Sequence, residues 1–486
     1  MDAAGCAGET GETGRTPTRL GAAMADLTRR SLLALTGLGV VGTALSWERL
    51  TATDIQGRDA DALNVAILGT AQDAAARRSL VEAFNRVHPD IPVRVQAIQG
   101  ADWSNFFAKL LTLVAAGTPP DVCYVATEGT QLFADRLAEP LDDFVRRDRA
   151  DVQEYFDDVH PSLIEAFMYQ GSLYQLPLDF NAANIYYNTS ALQKAGLQRP
   201  AEDWTKDDFL NVLRAMRRTG GDQFRPYFWT NRLWGGVVPW LYINDTSFLK
   251  ESKSPGGEWL WKDFYPNDPQ AGQRGGGYQW LEPNADDPRV EESFEYLRAM
   301  VQEGLGSSPA QGGGGELVAR FAEGFIGMTP AGGFWVYGLN QGGMAEDEFD
   351  VTFFPKWRSQ RHQFGAAGYV IMRTSKRKDE AWEWVKFCAT KEAMQLAIPL
   401  PQTTPTRRSM VNDAFYSGKG PRHWQVFYDT LDRFPTTGPI PAPPQQAAVE
   451  TALIKNVLAA VTGPAGSVGP ALRTMQRDLE LALGRT

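Results

Sequence analysis

Asp179 and Asn181 stand on either side of Phe180, inside the stretch LYQLPLDFNAANIYYNTSALQKAGL that runs from Leu173 to Leu197. An acid and an amide two residues apart, between apolar runs, can make paired hydrogen bonds to a polar ligand. They can equally cap strands by bonding the backbone. Glu128 follows the apolar run DVCYVAT at 121–127, and the carboxyl end of such a strand is where an open α/β sheet places ligand contacts. Gln72 stands similarly just after the run LNVAIL at 63–68. Trp229 and Trp234 lie among Asn and Gly, with a spacing that is neither helical nor strictly alternating. Trp335 ends a Gly-rich turn, Ala331-Gly332-Gly333-Phe334-Trp335, whose glycines would let backbone approach a ligand. Arg407, near the proline-rich connector 398–409, adds a cationic donor.

Other chemistries find little support. The histidines at 88, 160, 362 and 423 are scattered, and Cys6, Cys123 and Cys388 show no C-x-x-C spacing, so neither a metal site nor a cofactor is expected. Cys123 and Cys388 sit in apolar contexts and read as buried free thiols. The glycine run 312–315 lacks the Lys-Ser/Thr of a phosphate-binding loop and reads as a flexible loop. With 48 basic and 58 acidic residues the net charge is −10, which argues against non-specific nucleic-acid binding. SKRK at 375–378 reads as the solvated start of a helix.

These residues need a scaffold. A chain of 486 residues is too long for one ordinary core, so two domains are expected; 43% hydrophobic and 22% charged residues are globular values. LNVAIL reads as a strand buried on both faces, followed by a helix to Val87 and a second strand at 91–98. That is a βαβ unit with a right-handed crossover. A helix at 103–116 and the strand 121–127 extend it. Two short strands flank the polar trio 179–181, and helices are expected at 203–217, 288–303, 379–391 and from 445 onward. Residues 251–287, rich in Gly, Pro and Asp, read as a long surface insertion. Breaks near 177–181, 352–356 and 399–405 suggest that the chain crosses between two α/β lobes three times.

The N-terminus carries an address. TRRSLLALTGLGVVGTALS at 28–46 places the twin arginine Arg29-Arg30 before an apolar run too short for a membrane-spanning helix. It resembles a twin-arginine export signal, and no Cys follows as a lipid-anchor site. Residues 1–62 are therefore expected to be a disordered leader plus export signal, and the protein to work in the periplasm or at the outer face of the cytoplasmic membrane.

Six segments, in order, resemble the extracellular solute-binding proteins of ABC importers, family 1, the carbohydrate-binding group that includes maltodextrin-binding protein. They are GTPPDVCYV (117–125), LAEPLDDF (137–144), 171–197, DWTKDDF (203–209), FAEGFIGMTPAGGFW (321–335) and GAAGYVIMRTSKRKDEAWEWVKFCAT (365–390). The resemblance implies an α/β, two-lobed periplasmic-binding-protein fold of type II, with a multi-strand hinge and the ligand cleft between the lobes. It implies a first lobe at 63–178 plus 355–398 and a second at 182–350 plus 402–486, with crossings near 179–181, 351–355 and 399–405. It also implies a carbohydrate ligand, delivery to transmembrane permease subunits, a monomer, and no enzymatic activity. Ligand contacts would then come from Gln72, Glu128, Asp179, Asn181, Trp229, Trp234, Gly333, Trp335 and Arg407, carboxylates and amides for hydroxyls and rings for sugar faces. The rival readings are a binding protein for a polyamine or glycerophosphodiester, an exported glycoside hydrolase using two carboxylates across the cleft, and a sensory module that presents its closed form to a receptor.

Overall fold

The computed structural model describes residues 59–309 and 315–485; the export signal, Cys6 and most of the glycine run lie outside them. Strands β1 (Leu63–Leu68), β2 (Val93–Ile98) and β3 (Val122–Ala126) form where the apolar runs predict them. Their order is β2-β1-β3, all parallel. Within β1, Val65 and Ile67 enter one core while Ala66 enters another, the period-2 alternation of a sheet covered on both faces.

The chain then builds β4 (Leu176–Ala182), β5 (Asn184–Asn188), β6 (Arg225–Tyr227), β7 (Ile326–Ala331), β8 (Phe349–Thr352), β9 (Gln363–Ile371), β10 (Thr404–Pro405) and β11 (Gly438–Pro439). The larger sheet runs β2-β1-β3-β9-β4-β10, with β11 beside the start of β9. The smaller sheet runs β8-β5-β7-β6. One core is shared: Val65, Ile371 and Phe180 of the larger sheet belong to the same cluster as Tyr186, Ile326 and Val351 of the smaller. The opposite face of the smaller sheet, through Ile185, Tyr187 and Met328, packs on helices Lys206–Thr219, Pro288–Gln302, Gln446–Thr462 and Val468–Ala482.

Several expectations need correction. Residues 179–181 do not interrupt two strands; they lie inside β4, where Asn181 pairs with Gly365 and Asp179 with Ala367 of β9. The passage to the smaller sheet comes after them, at Ala183. The chain beyond 402 does not stay with the second lobe, because β10 pairs with β4 and β11 with β9 in the larger sheet. Nor is 251–287 merely a surface loop. It contains an antiparallel hairpin, Leu249–Lys253 with Tyr278–Pro283, and a helix, Glu258–Phe264, with Trp261, Phe264 and Trp280 buried. Its Gly and Pro content masked those apolar anchors. Cys123 and Cys388 are buried free thiols, and burial pushes both well above the ordinary thiol range. Among the described residues, no helix is long and apolar enough to cross a membrane.

Candidate ligand cleft

A cavity of about 270 Å³ lies where the carboxyl ends of β2 and β3, the middle of β4 and the start of β9 face loops of the smaller sheet. Trp103, Glu128, Asp179, Arg232, Trp234 and Phe334 are among the residues that line it.

Each is placed by local structure. Asp102 caps the helix Trp103–Ala115 by accepting from the backbone N–H of Asn105 at 2.8 Å, which sets Trp103 at the helix start beside the cavity. Its ring stacks on Phe107, with centroids 5.8 Å apart. Glu128 stands in the first turn of the helix Thr127–Arg136, directly after β3. The positive end of that helix favours a carboxylate there. Burial outweighs this and pushes Glu128 up to about 7; nearby Glu450 adds to the rise, while Arg232 works against it. Among the described residues, the side-chain bond to the Glu128 carboxylate is one long contact from the Thr127 hydroxyl at 3.4 Å.

Arg232 and Trp234 come from the other side, on a loop with non-helical backbone at Trp234, Gly235 and Gly236. Gly235 has φ of 66°, a conformation that glycine adopts freely. The loop is pinned twice. The Gly235 N–H donates to Gln363 Oε1 at 2.8 Å and Gln363 Nε2 donates to the Leu233 carbonyl at 3.1 Å. Asn231 Nδ2 donates to the Ile454 carbonyl at 2.8 Å. Arg232 Nε is sealed from solvent without an acceptor, and the guanidinium carbon sits 5.6 Å from the Trp234 ring centroid. Burial lowers the Arg232 pKa, and the charges of Glu128 and Glu450 offset that. Trp234 meets Phe334 edge-on at 5.1 Å.

Asp179 and Asn181 sit at the cavity with part of their bonding already used. Tyr124 Oη donates to Asp179 Oδ2 at 2.6 Å, and burial raises the Asp179 carboxyl to about 6 against the pull of that bond and of Arg77. Asn181 Nδ2 donates to Thr403 Oγ1 at 2.9 Å and its Oδ1 accepts from the Phe334 N–H at 3.1 Å. Asn181 thus ties the strand to both neighbouring loops.

Five expected ligand residues do not line the cavity. Trp229 is fully buried in the core of the smaller sheet, its indole N–H donating to the Ser307 carbonyl at 3.0 Å. Trp335 is 3% exposed and packs on Tyr186 and Phe321; its neighbour Phe334 is the ring that reaches the cavity. Arg407 is 3% exposed, bonded to the Ala389 carbonyl and near Glu154 and Asp158. Gln72 is exposed on the short helix Ala71–Ala76. Gly333 is buried against Thr404, where a Cβ would come within 2.3 Å of the Thr404 hydroxyl, and a Cβ on Gly332 would meet Asn181 at 2.6 Å. These glycines admit the protein's own hinge strands, not a ligand. Trp103, Arg232 and Phe334 were missed. Trp103 follows the second strand's carboxyl end, the same signal that found Glu128.

The two sides of the cavity touch. Ser104 Oγ donates to Glu450 Oε2 at 2.6 Å, and Gln446 Nε2 donates to the same carboxylate oxygen at 2.8 Å. A Cβ on Gly365 would lie 2.9 Å from the Trp234 indole nitrogen. The lobes are therefore drawn together. A larger hollow of about 550 Å³ lies elsewhere, but its charges are spent on one another: Arg408 pairs with Asp432, and Arg274 with Asp268 and Glu165.

The family model of bacterial extracellular solute-binding proteins matches residues 69–395, the greater part of the chain. A putative binding protein of Brucella abortus is 24% identical over 319 residues, 64% of this chain and 67% of that protein. An ABC substrate-binding protein of Listeria monocytogenes, solved with cycloalternan, superposes with TM-score 0.69 at 18% identity, covering 87% of this chain and 99% of its own. UgpB of Mycobacterium tuberculosis, solved with glycerophosphocholine, gives 0.67 at 18% identity, covering 88% and 99%. At such identities the likeness establishes the fold: two α/β lobes of the type II arrangement with a cleft between them.

Proposed function

Because the chain belongs to the bacterial extracellular solute-binding proteins, we propose that it captures a short carbohydrate in the cleft between its lobes and delivers it to the permease of an ABC importer, without chemical change to the ligand. One observation carries this reading: Glu128 and Arg232 face one cavity from opposite lobes, beside Trp103, Trp234 and Phe334, and among the described residues Arg232 Nε has no acceptor while the side-chain bond to Glu128 is one long contact from Thr127. A sugar ring presents hydroxyls at its rim and apolar C–H faces. A carboxylate accepts from one hydroxyl, a guanidinium donates to another, and indole rings cover the faces. Arg232 sets a positive charge against the acids Glu128 and Asp179, which disfavours a polycation and leaves a neutral polyol as the better fit. A volume of about 270 Å³ stands just below the ligand-pocket range of roughly 300–1,000 Å³, which supports a ligand of one or two rings. Ligand bridging both lobes stabilises the drawn-together arrangement over any more open member of the ensemble. A micromolar Kd corresponds to about −8 kcal/mol, within reach of such contacts.

The likeness to the glycerophosphocholine-bound protein favours a second reading, in which Arg232 would hold a phosphodiester. A thermal-shift screen of mono- and disaccharides, longer oligosaccharides, glycerophosphocholine and polyamines decides between them. A rise in Tm with a mono- or disaccharide is expected. A rise with glycerophosphocholine or a polyamine alone overturns the carbohydrate reading, and release of reducing ends from any glycoside overturns the non-enzymatic one.

A further inference from the structure

We infer that residues 254–277 are a strap that joins the lobes at a second place and holds them near the drawn-together arrangement without any ligand. The strap is rooted in one lobe. Its hairpin, Leu249–Lys253 with Tyr278–Pro283, buries Leu249, Tyr278 and Trp280 in the core of the smaller sheet. The Ala285 N–H donates to Gln476 Oε1 at 2.9 Å, and Arg361 pairs with Glu251 at 2.8 Å.

Its tip is docked in the other lobe. Phe264 and Tyr265 pack on Phe156, with ring centroids 4.1 and 6.0 Å apart, and Phe156 lies on the helix Arg149–Asp157, which precedes β4 of the larger sheet. Polar bonds accompany that burial. The Gly171 N–H donates to the Gly276 carbonyl at 2.9 Å, Tyr265 Oη to the Val159 carbonyl at 3.1 Å, and Gln131 Nε2 to the Tyr278 carbonyl at 2.8 Å. Gln131 lies on the helix whose first turn holds Glu128. Glu165, 3% exposed, accepts from the Gly275 N–H at 2.9 Å and pairs with Lys253 at 2.9 Å and Arg274 at 3.3 Å; Arg274 also pairs with Asp268.

Backbone meets backbone without side chains between. A Cβ on Gly276 would lie 2.5 Å from Gly171 Cα, and one on Gly277 would lie 2.1 Å from the Met168 carbonyl oxygen. An interface so matched, with its buried charges paired, costs much to separate. The lobes are also joined covalently where the chain passes from β4 to β5 and from β8 to β9. A docked second junction resists rotation of the lobes about these crossings, so opening requires the strap tip to leave Gly171 and Glu165.

The test needs no ligand, so its failure is distinct from failure of the solute-capture reading on which its biological sense rests. Nitroxide labels go on Ala108→Cys and Thr451→Cys in a Cys6→Ser background; both positions are exposed, on the helices that meet at Ser104 and Glu450. Double electron–electron resonance should give one narrow separation in the otherwise native, ligand-free chain. Adding Gly276→Val, which drives the tip off Gly171, should lengthen and broaden it. Glu165→Gln is the milder alternative should the valine variant not fold, and faster amide exchange at Gly171 identifies which variant has undocked the tip. A broad, long distribution in the native background overturns the inference, as does an unchanged distribution in a variant whose tip has undocked.

Discussion

The cleft and the strap both join the lobes with charged side chains, and they treat those charges in opposite ways. At the strap, Glu165 has three partners and Arg274 two carboxylates. At the cleft, among the described residues, Glu128 has one long side-chain contact, from the Thr127 hydroxyl, and Arg232 an orphaned Nε. A buried polar group without a partner costs free energy. The strap gains cohesion by satisfying its charges. The cleft keeps an unmet demand that a ligand can satisfy. Completeness of bonding, not charge density, separates an assembly contact from a recognition contact.

The widest test of this contrast is at the strap. Glu165→Gln should destabilise the protein by about 3 kcal/mol, because it strands Arg274 and Lys253; calorimetric unfolding measures it, and an unchanged Tm would erase the distinction. Arg232→Ala should do the reverse. Little stability is lost, and affinity for the sugar found by thermal shift falls by about 2 kcal/mol, roughly 30-fold by titration calorimetry.

Glu128→Gln sharpens the contrast through pH. The folded carboxyl lies near 7, above its unfolded value, so the native protein holds that proton more tightly than the unfolded chain. Its stability falls as pH climbs from the ordinary carboxylate range through 7. The variant should match the native protein at pH 5 and exceed it by on the order of 1–2 kcal/mol at pH 8, after allowance for partial exposure. Equal differences in Tm at both pH values would mean that Glu128 is not strained by burial. The smallest effect is expected at Gln72→Ala, which should leave affinity unchanged; a measurable loss would extend the cleft beyond the cavity seen.

The scaffold was largely legible in the sequence because buried parallel strands write continuous apolar runs, and LNVAIL and DVCYVA became β1 and β3. The site was half legible. Strand ends and irregular context point to Glu128 and Trp234, which line the cavity, but they point to Trp335 where the lining ring is Phe334, since at a helix start one residue of phase decides which ring faces outward. Trp229 reads as a ligand residue rather than core because the strand before it, Arg225–Tyr227, is too short to show alternation. The strap was invisible because its partners lie more than a hundred residues earlier, and sequence pattern reports local periodicity only.

Gln363 sits at the first residue of β9, where the chain re-enters the larger sheet, and its side-chain amide grips the backbone on both sides of Trp234. The grip works like a linkage in a machine. A twist of the crossing strand is passed to the indole plate through two hydrogen bonds, and pressure on the plate is passed back to the crossing. The ring at the cavity and the strand at the crossing are coupled through this glutamine.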